Sequence, residues 1–106
     1  MEPKIGLVAM AGKALIGKDS HLIEIAVSKL IEEGCQSVVL DMTALTHMDS
    51  TGMGQIISSL TKLMGIGGKM VAFGAAPGVR EGFRVTRLDT VIRFVDDREA
   101  AISAVR

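Results

Sequence analysis

The chain has 106 residues, length for a single domain with a real core and no need of disulfides or a structural metal. It is 48% hydrophobic but only 3% aromatic, with no Trp or Tyr, so the core is aliphatic and no aromatic platform exists for stacking nucleic-acid bases. Twelve basic residues against twelve acidic ones give zero net charge, which excludes strong non-specific nucleic-acid binding.

Met1-Glu2-Pro3-Lys4 runs straight into Ile5-Gly6-Leu7-Val8, with no secretory signal ahead of a strand predicted over residues 4–11. Gly12 and Gly17 bracket a loop or short extended stretch, Lys13 to Ile16. A helix is predicted over 20–33, with Ser20 as N-cap and Ile23, Ala26, Val27, Leu30 and Ile31 at helical spacing. Gly34 supplies a left-handed stop. Val38-Val39-Leu40-Asp41-Met42 is a short β-branched apolar run, hence a central strand, and Thr43 to Asp49 reads as a loop. A second helix is predicted over 50–64, with Ile56, Ile57, Leu60, Leu63 and Met64 on its buried side. Lys69 to Gly74 is a third strand, Pro77 opens a short helix to about Thr86, Val91 to Val95 is a fourth strand, and Asp97 to Val105 a last helix. No apolar run is long enough to span a bilayer, and Cys35, the only cysteine, fits a reducing compartment. The expectation is one cytoplasmic α/β domain over 1–106, with a small, mixed, mostly parallel sheet and alternating helices.

Several catalytic patterns come close and fail. Gly12 to Gly17, with Lys18, approaches a nucleotide P-loop, but Asp19 stands where a magnesium-binding hydroxyl is needed. Gly52-Met53-Gly54 lacks the third glycine of a dinucleotide fingerprint, since Ile57 occupies it; these glycines read as permitting close packing at a helix start. Met48 precedes Ser50 where a nucleophile elbow needs glycine. Ser59 and Lys62 form a Ser-x-x-Lys pair without companion motifs, explained by helix-surface polarity. His21 and His47 have no metal-ligand spacing and read as surface or loop residues, and Cys35 as a small buried filler. Asp41 either faces the functional rim of the sheet or caps the following turn. No nucleophile–base pair, cofactor motif or metal set survives, so no enzyme and no cofactor is expected.

The run from Val38 through Asp41 and the turn Thr43-Ala44-Leu45 to Asp49-Ser50-Thr51-Gly52-Met53-Gly54 resembles the signature of the STAS domain, above all that of bacterial anti-sigma factor antagonists. There an apolar strand ends in Asp, and Asp-Ser-Ser/Thr-Gly-Leu-Gly opens a helix; Met53 replaces the usual Leu. Gly68 to Gly74, Pro77, Val79, Arg80 and the Thr86-Arg87-Leu88-Asp89 step resemble the family too. Two departures stand out: little chain precedes Ile5, where family members have a longer hairpin, and Gly12-Lys13-Ala14-Leu15 lacks the acid of the family's Gly-x-Leu-Asp.

The resemblance implies a partner-switching regulator. Unphosphorylated, it binds an anti-sigma factor that is also a serine kinase of GHKL-type fold, releasing a sigma factor. The kinase phosphorylates Ser50, and a metal-dependent phosphatase reverses this. Spacing alone makes Ser50 a plain N-cap worth about 1 kcal/mol; the resemblance makes it the phospho-acceptor, with Thr51 a lesser candidate. Asp49 is either the true N-cap or orients Ser50 towards a kinase. The implied partner surface is Met48, Asp49, Ser50, Thr51, Gly52 and Met53, the methionines giving an adaptable apolar contact. The alternative is a scaffold or accessory STAS domain in a signalling assembly or membrane transport complex.

Overall fold

The computed structural model describes residues 5–14, 22–48 and 50–105, with side chains for all of these except 11–14, 22, 50 and 51. Four strands alternate with helices: β1 (Ile5–Ala14), α1 (Leu22–Glu32), β2 (Ser37–Met48), α2 (Ser50–Gly65), β3 (Lys69–Phe73), α3 (Pro77–Val85), β4 (Arg93–Val95) and α4 (Arg98–Val105), with a 3-10 turn at Leu88–Thr90 before β4. Ser20, His21 and the P-loop-like residues Leu15 to Asp19 lie outside the described residues.

The strands stand in the order β1-β2-β3-β4, and every pairing is parallel. The described sheet is thus parallel throughout rather than mixed. Each crossover steps to the next strand in the same direction, and right-handed crossovers of that kind put their helices on one face. The core follows this layout. Val38, Leu40 and Met42 of β2, with Met70 and Ala72 of β3, join Val27 of α1, Ile56 and Leu63 of α2 and Phe83 of α3 in the larger cluster. Val39, Val71 and Phe73 point the other way, against Ala101 and Val105 of α4. β2 and β3 are buried on both faces, which is why they read as unbroken apolar runs.

Two glycines carry the expected backbone duties. Gly34 closes α1 at φ 94°, with its N–H donating to the Ile31 carbonyl. Gly74 follows β3 at φ 75°, and a Cβ there would lie 2.5 Å from Thr43 Oγ1. The end of β3 therefore presses directly on the middle of β2.

Three expectations are corrected. Thr43 to Met48 is strand, not loop, paired with β1 as far as Ala14↔Met48. Ala9↔Asp41 is followed by Ala11↔Ala44, and Gly12↔Leu45 by Lys13↔His47, so β2 carries one extra residue at each step. These bulges break the two-residue alternation that sequence reading relies on. On α2, Ile57 is 45% and Met64 57% exposed, whereas Ile56, Leu60 and Leu63 are buried. Ser59 is buried as well, with no hydrogen-bond partner for its Oγ among the described residues, and Lys62 donates instead to Ser28 Oγ at 3.1 Å, so surface polarity does not explain that pair. Cys35 is buried, as expected of a filler.

Candidate functional site

The site forms where β2 ends and α2 begins, at the carboxyl edge of the sheet. In parallel α/β sheets this is the edge at which loops and helix starts converge. Asp41 prepares the approach. Its Oδ1 accepts from the Thr43 backbone N–H at 3.0 Å and from Thr43 Oγ1 at 2.6 Å. Both bonds hold the carboxyl below the usual aspartate range, more strongly than burial raises it, with Arg98 at the start of α4 adding a smaller favourable charge. Of its two candidate roles, Asp41 takes the local one: it satisfies the backbone at the first bulge.

Beyond the bulge Leu45 is buried, Thr46 and His47 are exposed, and Met48 is half-buried against the main core. His47 Nδ1 lies 3.1 Å from Thr46 Oγ1, and no metal-binding group of His, Cys, Asp or Glu occurs among the described residues. Asp49 lies outside the described residues. Ser50 and Thr51 are the first residues of α2.

The helical repeat sorts the rest of α2. Gly52, Met53, Gln55, Ile56, Ser59, Leu60 and Leu63 are buried, and Gly54, Ile57, Ser58 and Thr61 are exposed. At about 100° per residue, position 50 shares the helical phase of 54, 57, 58 and 61, which are exposed. Met53, expected as an exposed apolar contact, is 8% exposed, and its Cε would lie 2.9 Å from a Cβ at Gly82 on α3. It underlies the site and does not face solvent. Gly54 also departs from expectation, because a Cβ there would meet nothing within 4 Å and packing does not require the glycine.

One residue of this region went unnoticed in the sequence, and another was placed on the wrong face. Gln55 Oε1 accepts from the Ile23 N–H at 3.2 Å, tying α2 to the first turn of α1, where backbone donors have no helical partner. Its signal was a polar residue inside the buried arc of α2. Ile57, read as core, is the large apolar side chain that the exposed stripe presents.

A parallel α/β layer in which a helix opening at Ser50 follows the second strand frames the class. The chain belongs to the STAS domain family, whose pattern it matches over residues 3–101. Its fold superimposes on the anti-sigma factor antagonist SpoIIAA in its unphosphorylated form with a TM-score of 0.84, covering 99% of this chain and 90% of that one at 21% identity. An anti-sigma factor antagonist from Mycobacterium paratuberculosis gives 0.83, with 100% and 89% covered at 20% identity. The Bacillus cell fate determinant SpoIIAA in its phosphorylated form gives 0.76, with 99% and 94% covered at 20% identity. Identities at this level establish the shared fold.

Proposed function

We propose that this chain is an anti-sigma factor antagonist switched by a phosphate on Ser50. In this reading it has no catalytic activity or cofactor of its own and works in the cytoplasm. Unphosphorylated, it docks the start of α2, around Ser50 with Gly54 and Ile57 beside it and Met53 beneath, against an anti-sigma factor that is also a GHKL-type serine kinase, and a sigma factor is released. Phosphorylation ends the complex, and a metal-dependent serine phosphatase restores it.

The observation that carries the reading is the alignment of position 50 with the exposed residues 54, 57, 58 and 61 at the start of a helix in a STAS fold. A phosphate there adds about −1.5 to −2 charges at neutral pH. Within the domain this charge is tolerated. The first backbone N–H groups of α2 lack helical partners, the dipole is positive, and no acidic side chain occupies the first turn. Against a partner packed on Gly54 and Ile57 the same charge is desolvated beside Asp49. Like charge buried at an interface costs several kcal/mol. A penalty of about 3 kcal/mol weakens the complex on the order of a hundredfold.

The test is binding of the cognate anti-sigma factor, measured by calorimetry, to wild type, Ser50→Ala and Ser50→Asp. Wild type and Ser50→Ala should bind alike in the absence of ATP, with Ser50→Asp weaker by roughly a hundredfold. Equal binding by all three proteins contradicts the switch and favours a scaffold role.

A further inference from the structure

At the far edge of the sheet, two open clefts meet at Val91 and Arg93, which line both. One, of about 400 Å³, lies under α3 and is polar, with Arg80, Asp89 and Phe94 on its walls. The other, of about 300 Å³, is apolar, floored by Leu60 and Met70 and flanked by Met64 and Lys69.

Three properties describe what fits this groove of two adjoining clefts. First, its charge is one-sided. Lys69, Arg80 and Arg93 face it against the single carboxylate of Asp89, in a chain whose net charge is zero. Among the described residues, none of the three cations is in an ion pair. Arg80 is also held in place, its guanidinium 5.7 Å from the centroid of the Phe94 ring, which is itself braced edge-on by Phe83 at 5.1 Å. Second, the apolar half offers exposed, adaptable side chains: Met64 is 57% and Val91 50% exposed. Third, β4 is the last strand of the described sheet, and an edge strand is where an added strand can pair.

We propose that this groove binds an extended acidic segment of another protein, with apolar residues alternating between its carboxylates. The segment lies along β4 with its carboxylates at Lys69 and Arg93, which share the α4 face with Val71 and Val95, and with its apolar side chains on the other face, against Met64. Lys69 begins β3, whereas Ser50 follows the end of β2, so these two positions sit at opposite ends of the strands. A charge at position 50 is expected to leave binding at Lys69 and Arg93 unchanged, so the two proposals are tested separately.

The probe is an N-acetylated, C-amidated peptide of alternating glutamate and leucine, roughly eight residues long so that it outspans the short edge strand. It is titrated into the isotope-labelled full chain and followed by amide NMR. The expected result is saturable shifts centred on Val91, Arg93 and Phe94, unchanged affinity in Ser50→Asp, and at least roughly tenfold weaker binding in Arg93→Glu and in Lys69→Glu. Both substitutions are at exposed positions, and unperturbed amide spectra elsewhere establish that the variants are folded. The proposal is overturned if the peptide causes no shifts, if a lysine–leucine peptide binds equally well, or if the shifts map to the start of α2. It is also overturned if inorganic phosphate or vesicles of acidic lipid move the groove amides while the peptide does not.

Discussion

Asp41 shows how one side chain converts a broken strand into a usable one. A bulge leaves backbone groups out of the ladder, and the carboxylate takes up the Thr43 N–H and hydroxyl at that point. Because the folded state holds this carboxyl below its ordinary value of 3.8, its stabilisation is complete at neutral pH and is lost as pH falls through the lowered value. Asp41→Ala should therefore cost about 1 kcal/mol at pH 7, the usual worth of such bonds at a partly exposed site. The gap between wild type and variant should shrink towards pH 3, as read by urea unfolding at both pH values. A gap that is constant or widens in acid would remove the carboxylate from this role. The strand before Asp41 was legible in the sequence because it is an unbroken, β-branched apolar run. Thr43 to Met48 was not, because two bulges reset the alternation.

At the scale of the element, α2 has two opposed faces with different tasks. The buried arc fastens it to the sheet, to Gly82 of α3 through Met53, and to α1 through Gln55. The exposed arc runs from Gly54 through Ile57 and Ser58 to Thr61. Gly54 sits in the helix interior with open space around it, where glycine is less favourable than alanine. Gly54→Ala should stabilise the isolated domain by about 0.5–1 kcal/mol in thermal or urea unfolding. If a partner packs on this stripe, the same substitution should weaken anti-sigma factor binding, because an added methyl at a close approach forces a shift. A variant that is more stable and binds unchanged would move the docking surface off Gly54. The existence and length of α2 were readable from its apolar spacing. Which of Ile56 and Ile57 faces inward was not, since both fit an apolar stripe until the sheet and α1 decide where its centre lies.

For the whole molecule, the expectation is that the switch acts on association and leaves folding alone. The position that would carry the charge opens a helix with no acid in its first turn, so a carboxylate there complements the dipole. Ser50→Asp should melt within a few degrees of wild type by circular dichroism, on either side, since about 1 kcal/mol moves the midpoint of a domain this size by roughly 4–8 °C. A large loss of thermal stability would mean that the variant's failure to bind reports unfolding. The molecule that receives this charge is a layered α/β unit with α1, α2 and α3 on one side of the sheet and α4 on the other. That layout leaves the carboxyl end of β2 and the outer edge of β4 as separate exposed regions, each with its own candidate partner.

The amino-acid order alone determined the alternation of strands and helices, the parallel sheet, the glycine stops and the family signature around Ser50. All of these depend on contacts between near neighbours or on periodicity along one element. Only the tertiary structure decided that β2 continues to Met48, that Met53 is buried while Ile57 is exposed, and that Arg93 lines two adjoining clefts, with Arg80 in one and Lys69 in the other. Burial and charge density are properties of what lies across the chain, and residues many positions apart acquire them together only when the sheet brings them side by side.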